Sequence, residues 1–209
     1  MMSTTGPVCR LCRREGQKLF LKGTRCETVK CSVDKRGGTP PGMHPWKRGK
    51  FSEFGIQLRE KQKVKRFYGL RETPFRRAFA LADKKRGPTG ENLMQGLELR
   101  LDNVVHRLGY ARSRGHARQL IVHGHVLMNG RRTSAPSARL KEGSQVTFTK
   151  KKKIRDGILA IHEEGRDRPV PSWLARDVSA LQGEVVRIPP KEEYSLQAEI
   201  ELIVEYCSK

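Results

Sequence analysis

The chain has 209 residues, 43 Lys+Arg against 22 Asp+Glu, a net charge of +21 at pH 7, and 36% hydrophobic residues. Such a charge opposes compaction unless a polyanion neutralises it, and it predicts strong, salt-sensitive association with nucleic acid. No run of about 18 apolar residues and no signal-peptide pattern is found, so the expectation is a cytoplasmic protein with no membrane partner.

The chain opens on Cys9-x2-Cys12-x13-Cys26-x4-Cys31. Two close pairs joined by one loop match how a chain wraps a tetrahedral Zn2+, with Cys9, Cys12, Cys26 and Cys31 as ligands. Four protein ligands leave no open position for water, so the expected cofactor is structural, stiffening a segment with few apolar residues. Nine cations fall between Arg10 and Arg36, and Arg10, Arg13, Arg14 and Lys22 are expected to face a polyanion. The fifth cysteine, Cys207, reads as a small apolar residue in a C-terminal helix.

The stretch from Arg36 to Trp46 is too rich in Gly and Pro for regular structure and reads as a loop. It leads to a basic tip at Lys47, Arg48 and Lys50. Ser52 is then a cap for a helix from about Glu53 to Tyr68, ended by Gly69. Arg59, Lys61, Lys63, Lys65 and Arg66 lie on this helix, where only Glu53 and Glu60 offset them, so phosphate contact is expected there. Thr73-Pro74 opens a shorter helix to about Lys85. From Asn92, apolar residues recur at helical spacing through Leu108, predicting a single helix closed by Gly109. Ser113 caps the next helix, which ends at Gly124.

The period then switches to that of strands. Val126 and Met128 share one face at strand spacing, Asn129-Gly130 is a two-residue hairpin signal, and Gln145–Phe148 reads as a strand. A Lys150–Lys153 run precedes a helix from about Arg155 to Glu164. Short strands near Trp173 and over Val185–Ile188 follow, and a last helix runs through Ala198–Tyr206. Charge is uneven: residues 1–50, 51–100 and 101–155 sum to +9, +6 and +11, but 156–209 to −5. The last quarter is suited to packing on the rest or meeting a protein.

Between Leu99 and Phe148 the chain reads RLDNVVHRLG, then SRGHARQLI, then HGHVLMNGRR. Two helices packed on a hairpin are expected to gather Arg107, Arg112, Arg114, Arg118, His123 and Arg131, with Gln119 and Asn129 completing the contact set. This unit resembles the small RNA-binding module called the S-four domain. GPVCRLCRREG at residues 6–16, LREKQKV at 58–64, Tyr68-Gly69 and the ending IVEY extend the likeness to essentially the whole chain. The chain is thus similar to the bacterial-type small-subunit ribosomal protein S-four family, in the form that keeps four zinc cysteines.

That resemblance implies an α+β protein: a mainly helical N-terminal domain with a structural zinc module, plus an S-four-type domain with a small antiparallel sheet. The implied boundaries are a module at 1–45, a helical part at 46–98 joined by a C-terminal helix at 197–209, and a second domain at 99–196. The RNA-binding unit would span 99–165. The family binds 16S-type rRNA early, at a multi-helix junction of the 5′ domain, and nucleates assembly of the subunit body. Lys47, Arg48 and Lys50 match its loop beside the channel by which mRNA enters. Its second domain contacts the neighbouring small-subunit protein S-five, an interface tied to decoding accuracy. No catalytic residue and no small-molecule substrate are expected.

Two other readings compete. Arg100-Leu101-Asp102 echoes the catalytic string of pseudouridine synthases that carry the same domain. However, the sixty or so residues after the domain are too few for that catalytic fold, and Asp102 reads equally as a helix salt bridge or cap. A zinc-containing DNA-binding regulator would need a recognition helix and usually dimer symmetry, which no pattern here supplies.

Overall fold

The computed structural model describes residues 7–44, 52–165 and 168–208. By packing the chain forms two units, Met1–Arg77 with Leu196–Lys209, and Ala78–Ser195. Residues 78–98 pack with the second unit. Glu98 ties them there, accepting from Asn103 Nδ2 at 2.6 Å and from the Ser195 N–H at 2.7 Å.

In the first unit, α1 (Cys9–Glu15) and α2 (Ser32–Lys35) flank a 3-10 turn at Gly23–Glu27. Ser52 caps α3 (Glu53–Phe67) as expected, its Oγ accepting from the Gly55 N–H at 3.2 Å. The helix closes at Gly69, whose φ of 61° a side chain would resist. Gly69 N–H reaches Arg66 O at 3.0 Å and Leu70 N–H reaches Lys65 O at 2.8 Å, which satisfies two terminal carbonyls. α3 packs on α9 (Ile200–Ser208). Val64 and Ile203 are fully buried, and the Phe54 and Tyr206 rings lie 5.4 Å apart. The division between units falls inside α4 (Glu72–Asp83).

The second unit holds α5 (Thr89–Glu98), α6 (Leu101–Arg107), α7 (Arg114–Val122) and α8 (Lys152–Glu164). Its antiparallel sheet comprises β1 (Val126–Met128), β2 (Arg131–Arg132), β3 (Gln145–Phe148), β4 (Leu174–Asp177) and β5 (Gln182–Val185). The strand order is β2-β1-β3-β5-β4. The Asn129-Gly130 turn has φ of 50° and 75° and pairs Met128 with Arg131, as its sequence predicts. Leu101, Val104 and Val105 from α6, Leu108 at its C-terminal cap, and Ala117 and Ile121 from α7 join Val126, Val146, Trp173 and Val185 in one core. Tyr110 lies within this core, its hydroxyl within hydrogen-bond reach of Asp177 O (2.9 Å) and Gln182 O (2.7 Å).

Three expectations are corrected. The single helix from Asn92 to Leu108 is two, because Arg100 is extended and bridges Arg139. Leu101 N–H donates to Ala138 O and Leu140 N–H to Leu99 O, both at 2.9 Å, so partners distant in sequence take over the helix ladder. Apolar periodicity cannot register a break that keeps both halves facing one core. The strand placed over Val185–Ile188 is instead Gln182–Val185, since Val186 and Ile188 are about half exposed and outside the ladder. α8 starts at Lys152 and includes part of the lysine run.

Candidate nucleic-acid interface

The four N-terminal cysteines, spread over 23 positions, line one small cavity together with Lys22, Arg25, Ser32 and Val33. Burial pushes the Cys12 and Cys26 thiols above their ordinary values, and neighbouring cysteines push the same way. The Lys22 N–H donates to Cys26 Sγ at 3.4 Å. Among the described residues, however, no group of three or more His, Cys, Asp or Glu is disposed to hold a metal ion. Four thiols are nevertheless the donor type that a soft metal ion takes.

Around this module Arg10, Arg14 and Lys22 are exposed. Arg13 turns inward, donating to Thr39 O at 2.9 Å and Pro40 O at 3.1 Å, and so braces the loop that follows. Lys47, Arg48 and Lys50 lie outside the described residues.

The basic helix is less free than its composition suggests. Glu15 from α1, with a side chain only 2% exposed, pairs with Arg66 and with Arg59 at 3.5 Å. Burial holds the Glu15 carboxyl above its ordinary value, despite the two guanidinium groups. Glu72 binds Lys61 at 2.6 Å and Lys65 at 2.9 Å, and Glu60 pairs with Lys63. Burial acts to raise the Glu72 pKa, but the two ammonium groups outweigh it and hold the carboxyl at about 2. All five expected cations thus have carboxylate partners. Glu15 and Glu72 lie outside the helix, which is why counting acids along it missed them. Lys61 is corrected outright: it is 4% exposed, with Nζ 4.5 Å from the Tyr206 ring centre, and offers no surface to a phosphate.

A similar correction applies to the second unit. Arg118 is buried, its Nε donating to Asp102 Oδ2 at 2.7 Å, and Arg100 grips the same carboxylate at 3.1 and 2.9 Å. Burial lowers the Arg118 pKa while Asp102 opposes that shift. Arg114 is buried and donates to Asn103 Oδ1 at 2.8 Å. Arg107 donates to Glu193 O at 2.9 Å, and Arg112 pairs with Glu164 at 2.7 Å. Of the arginines expected to gather on one surface, Arg114 and Arg118 are turned inward and Arg107 is tied to a backbone carbonyl, whereas Arg112 stays on the surface in an exposed ion pair with Glu164. Asp102, 2% exposed and clamped by two arginines, is a structural anchor and not a reactive carboxylate in a cleft.

What remains outward on this unit is Gln119, His123, Asn129 and Arg131, all exposed. Asn129 also accepts the Gln145 N–H at 2.8 Å. Two groups outside the expected contact set join them: Arg132, which donates to Gly124 O at 2.8 Å, and the exposed run Lys150–Lys153. The Thr149 N–H meets His125 O at 3.0 Å, which brings the head of the lysine run beside the α7–β1 turn. Burial, then Lys151, His123 and Arg132, push the His125 imidazole below its ordinary value. The signal for this patch was present as four consecutive lysines. Their spatial neighbours depend on strand pairing, which the sequence does not display.

A family model for the ribosomal protein S4/S9 N-terminal domain matches residues 3–98, and one for the S4 domain matches residues 99–146. The chain is 50% identical over 209 residues to a small ribosomal subunit protein uS4 of Caldicellulosiruptor saccharolyticus, covering 100% of both. It is 48% identical over 204 residues to that of Halothermothrix orenii, covering 98% of both. A protein named uS4A from Alkaliphilus oremlandii is 49% identical over 209 residues, again covering 100% of both. Matched along its full length, and carrying both domains in order, the chain belongs to the ribosomal protein S4 family.

Proposed function

We propose that this chain is a structural constituent of the small ribosomal subunit, located on the cytoplasmic ribosome, which binds 16S-type rRNA and catalyses no reaction. One observation carries the reading at residue level: the exposed cations Arg131, Arg132 and Lys150–Lys153 are drawn toward the α7–β1 turn, where Arg132 donates to Gly124 O and the Thr149 N–H to His125 O. Such a patch neutralises phosphates and positions RNA without reading bases. The full-length likeness to small-subunit proteins supports rRNA as the polyanion.

The finer parts of the reading belong to the same proposal. Binding to the 5′ domain would nucleate the subunit body. The tip at Lys47, Arg48 and Lys50 would face mRNA near the channel where it enters, and the acidic last quarter would meet protein S-five, with consequences for accuracy. Cys9, Cys12, Cys26 and Cys31 would hold a structural Zn2+; their shared cavity supports this. That ion would stiffen the fold of the N-terminal module and supply no chemistry.

The test is retention of the purified chain on small-subunit particles, with chemical footprinting of the 5′-domain rRNA. Protection of that domain is expected, and Arg131→Met or Lys151→Met should each lower the slope of log affinity against log salt by about one. No protection of 5′-domain rRNA, with binding to a DNA duplex instead, would overturn the proposal.

A further inference from the structure

The mechanism above uses outward cations and leaves a buried polar network unexplained. Five charged side chains are buried within the second unit at the junction of α5, α6 and α7: Glu98, Arg100, Asp102, Arg114 and Arg118. Asp102 takes both Arg100 and Arg118 and also caps the Asn103 N–H at 2.9 Å. Asn103 bridges the remainder, donating to Glu98 and accepting from Arg114 Nε. Burying charges contributes little net stability compared with apolar packing, whereas removing one partner is costly. Such a network is better suited to setting one geometry than to adding stability.

The geometry it sets is that of α7. Arg114 and Arg118 sit one turn apart on its inward face, while Gln119 and His123 project from the opposite side. Each bond to Asn103 or Asp102 therefore fixes the rotation of the helix that presents the outward residues. We infer that Asp102 and Arg118 are positioning residues for RNA binding, orienting α7 through a buried clamp and touching no phosphate themselves. This rests on the proposed RNA-binding function and assigns these two residues a place in it.

Charge makes the inference testable. Asp102→Asn adds one positive unit to a chain of net charge +21, so simple electrostatics predicts equal or tighter RNA binding. Positioning predicts the opposite sign. The experiment measures binding of the full chain to a 5′-domain rRNA transcript across a potassium chloride series, with circular dichroism confirming that each variant is folded at the assay temperature. Folded Asp102→Asn should bind about tenfold more weakly, with an unchanged salt slope. Arg118→Met should do likewise, and Arg118→Lys, which restores one donor, should recover part of the loss. Should Asp102→Asn not fold, the isosteric Glu98→Gln takes its place, removing one acceptor oxygen at the Asn103 end of the same network. Wild-type affinity in a folded clamp variant would overturn the inference and leave a purely structural role. A slope lowered by about one in Arg118→Met would overturn it in favour of direct phosphate contact. Failure of the wild-type chain to bind the transcript would instead overturn the proposed function.

Discussion

Lys61→Met separates a cation that binds RNA from one that holds the fold. The side chain is 5% exposed, and its ammonium lies 2.6 Å from Glu72 Oε1 and 4.5 Å from the Tyr206 ring centre. A hydrogen bond between charged groups contributes about 1.5–3 kcal/mol, and a cation–π contact about 0.5–1 kcal/mol. Against this, methionine fills the same space without burying an ammonium group. Glu72 also retains Lys65 at 2.9 Å and, being 37% exposed, stays hydrated. Its carboxyl at about 2, against an ordinary 4.5, corresponds to about 3 kcal/mol. Solvent screening reduces that to roughly half, shared between two lysines. The net expectation is a loss of about 1–2 kcal/mol, or about 3–6 °C in Tm. The sign with pH follows from a depressed carboxyl: its contribution is full above 4.5 and fades as pH falls toward about 2. The gap between wild type and variant should therefore narrow across that window. Thermal unfolding followed by circular dichroism reads the stability, and an RNA titration in rising salt reads the binding. An unchanged Tm together with a salt slope reduced by one would refute the assignment.

Three further outcomes follow from other parts of the molecule. A methyl at Gly183 would overlap Leu108 Cδ1 and lie 2.8 Å from its Cδ2, inside a fully packed core; Gly183→Ala should cost about 1–3 kcal/mol in thermal or urea unfolding. Ser113→Ala removes the cap accepted from the His116 N–H at 3.2 Å, so α7 should lose about 1 kcal/mol, read by urea unfolding. Replacing both Cys9 and Cys12 with serine should abolish zinc in native mass spectrometry and raise hydrogen exchange within residues 1–45, with exchange in α6, α7 and the sheet unchanged; metal-free wild-type protein of identical stability and exchange would count against a structural ion.

Local chemistry was legible where a short stretch of chain contains its own cause. Ser52 and Ser113 as caps, Gly69 as a helix stop, and the Asn129-Gly130 hairpin each depend on neighbouring backbone groups, and each sits where its residue type predicts. The break at Arg100 was not legible, because its cause is a strand-like pairing with Arg139, 39 positions away. The same applies to charge. Counting acids along α3 found Glu53 and Glu60, of which Glu60 pairs with Lys63, whereas Glu15 and Glu72 arrive from neighbouring segments.

By itself, then, the sequence determined the polyanion-seeking character of the chain, its two-part order, the helix caps, the hairpin and the spacing of four cysteines. These rest on composition and on interactions spanning a few residues. Only tertiary structure decided which cations face outward. A lysine or arginine reads identically whether it meets solvent or a carboxylate brought from afar. Lys61, Arg114 and Arg118 are turned inward by such partners, while Arg131, Arg132 and Lys150–Lys153 are left outside, where they can meet phosphate.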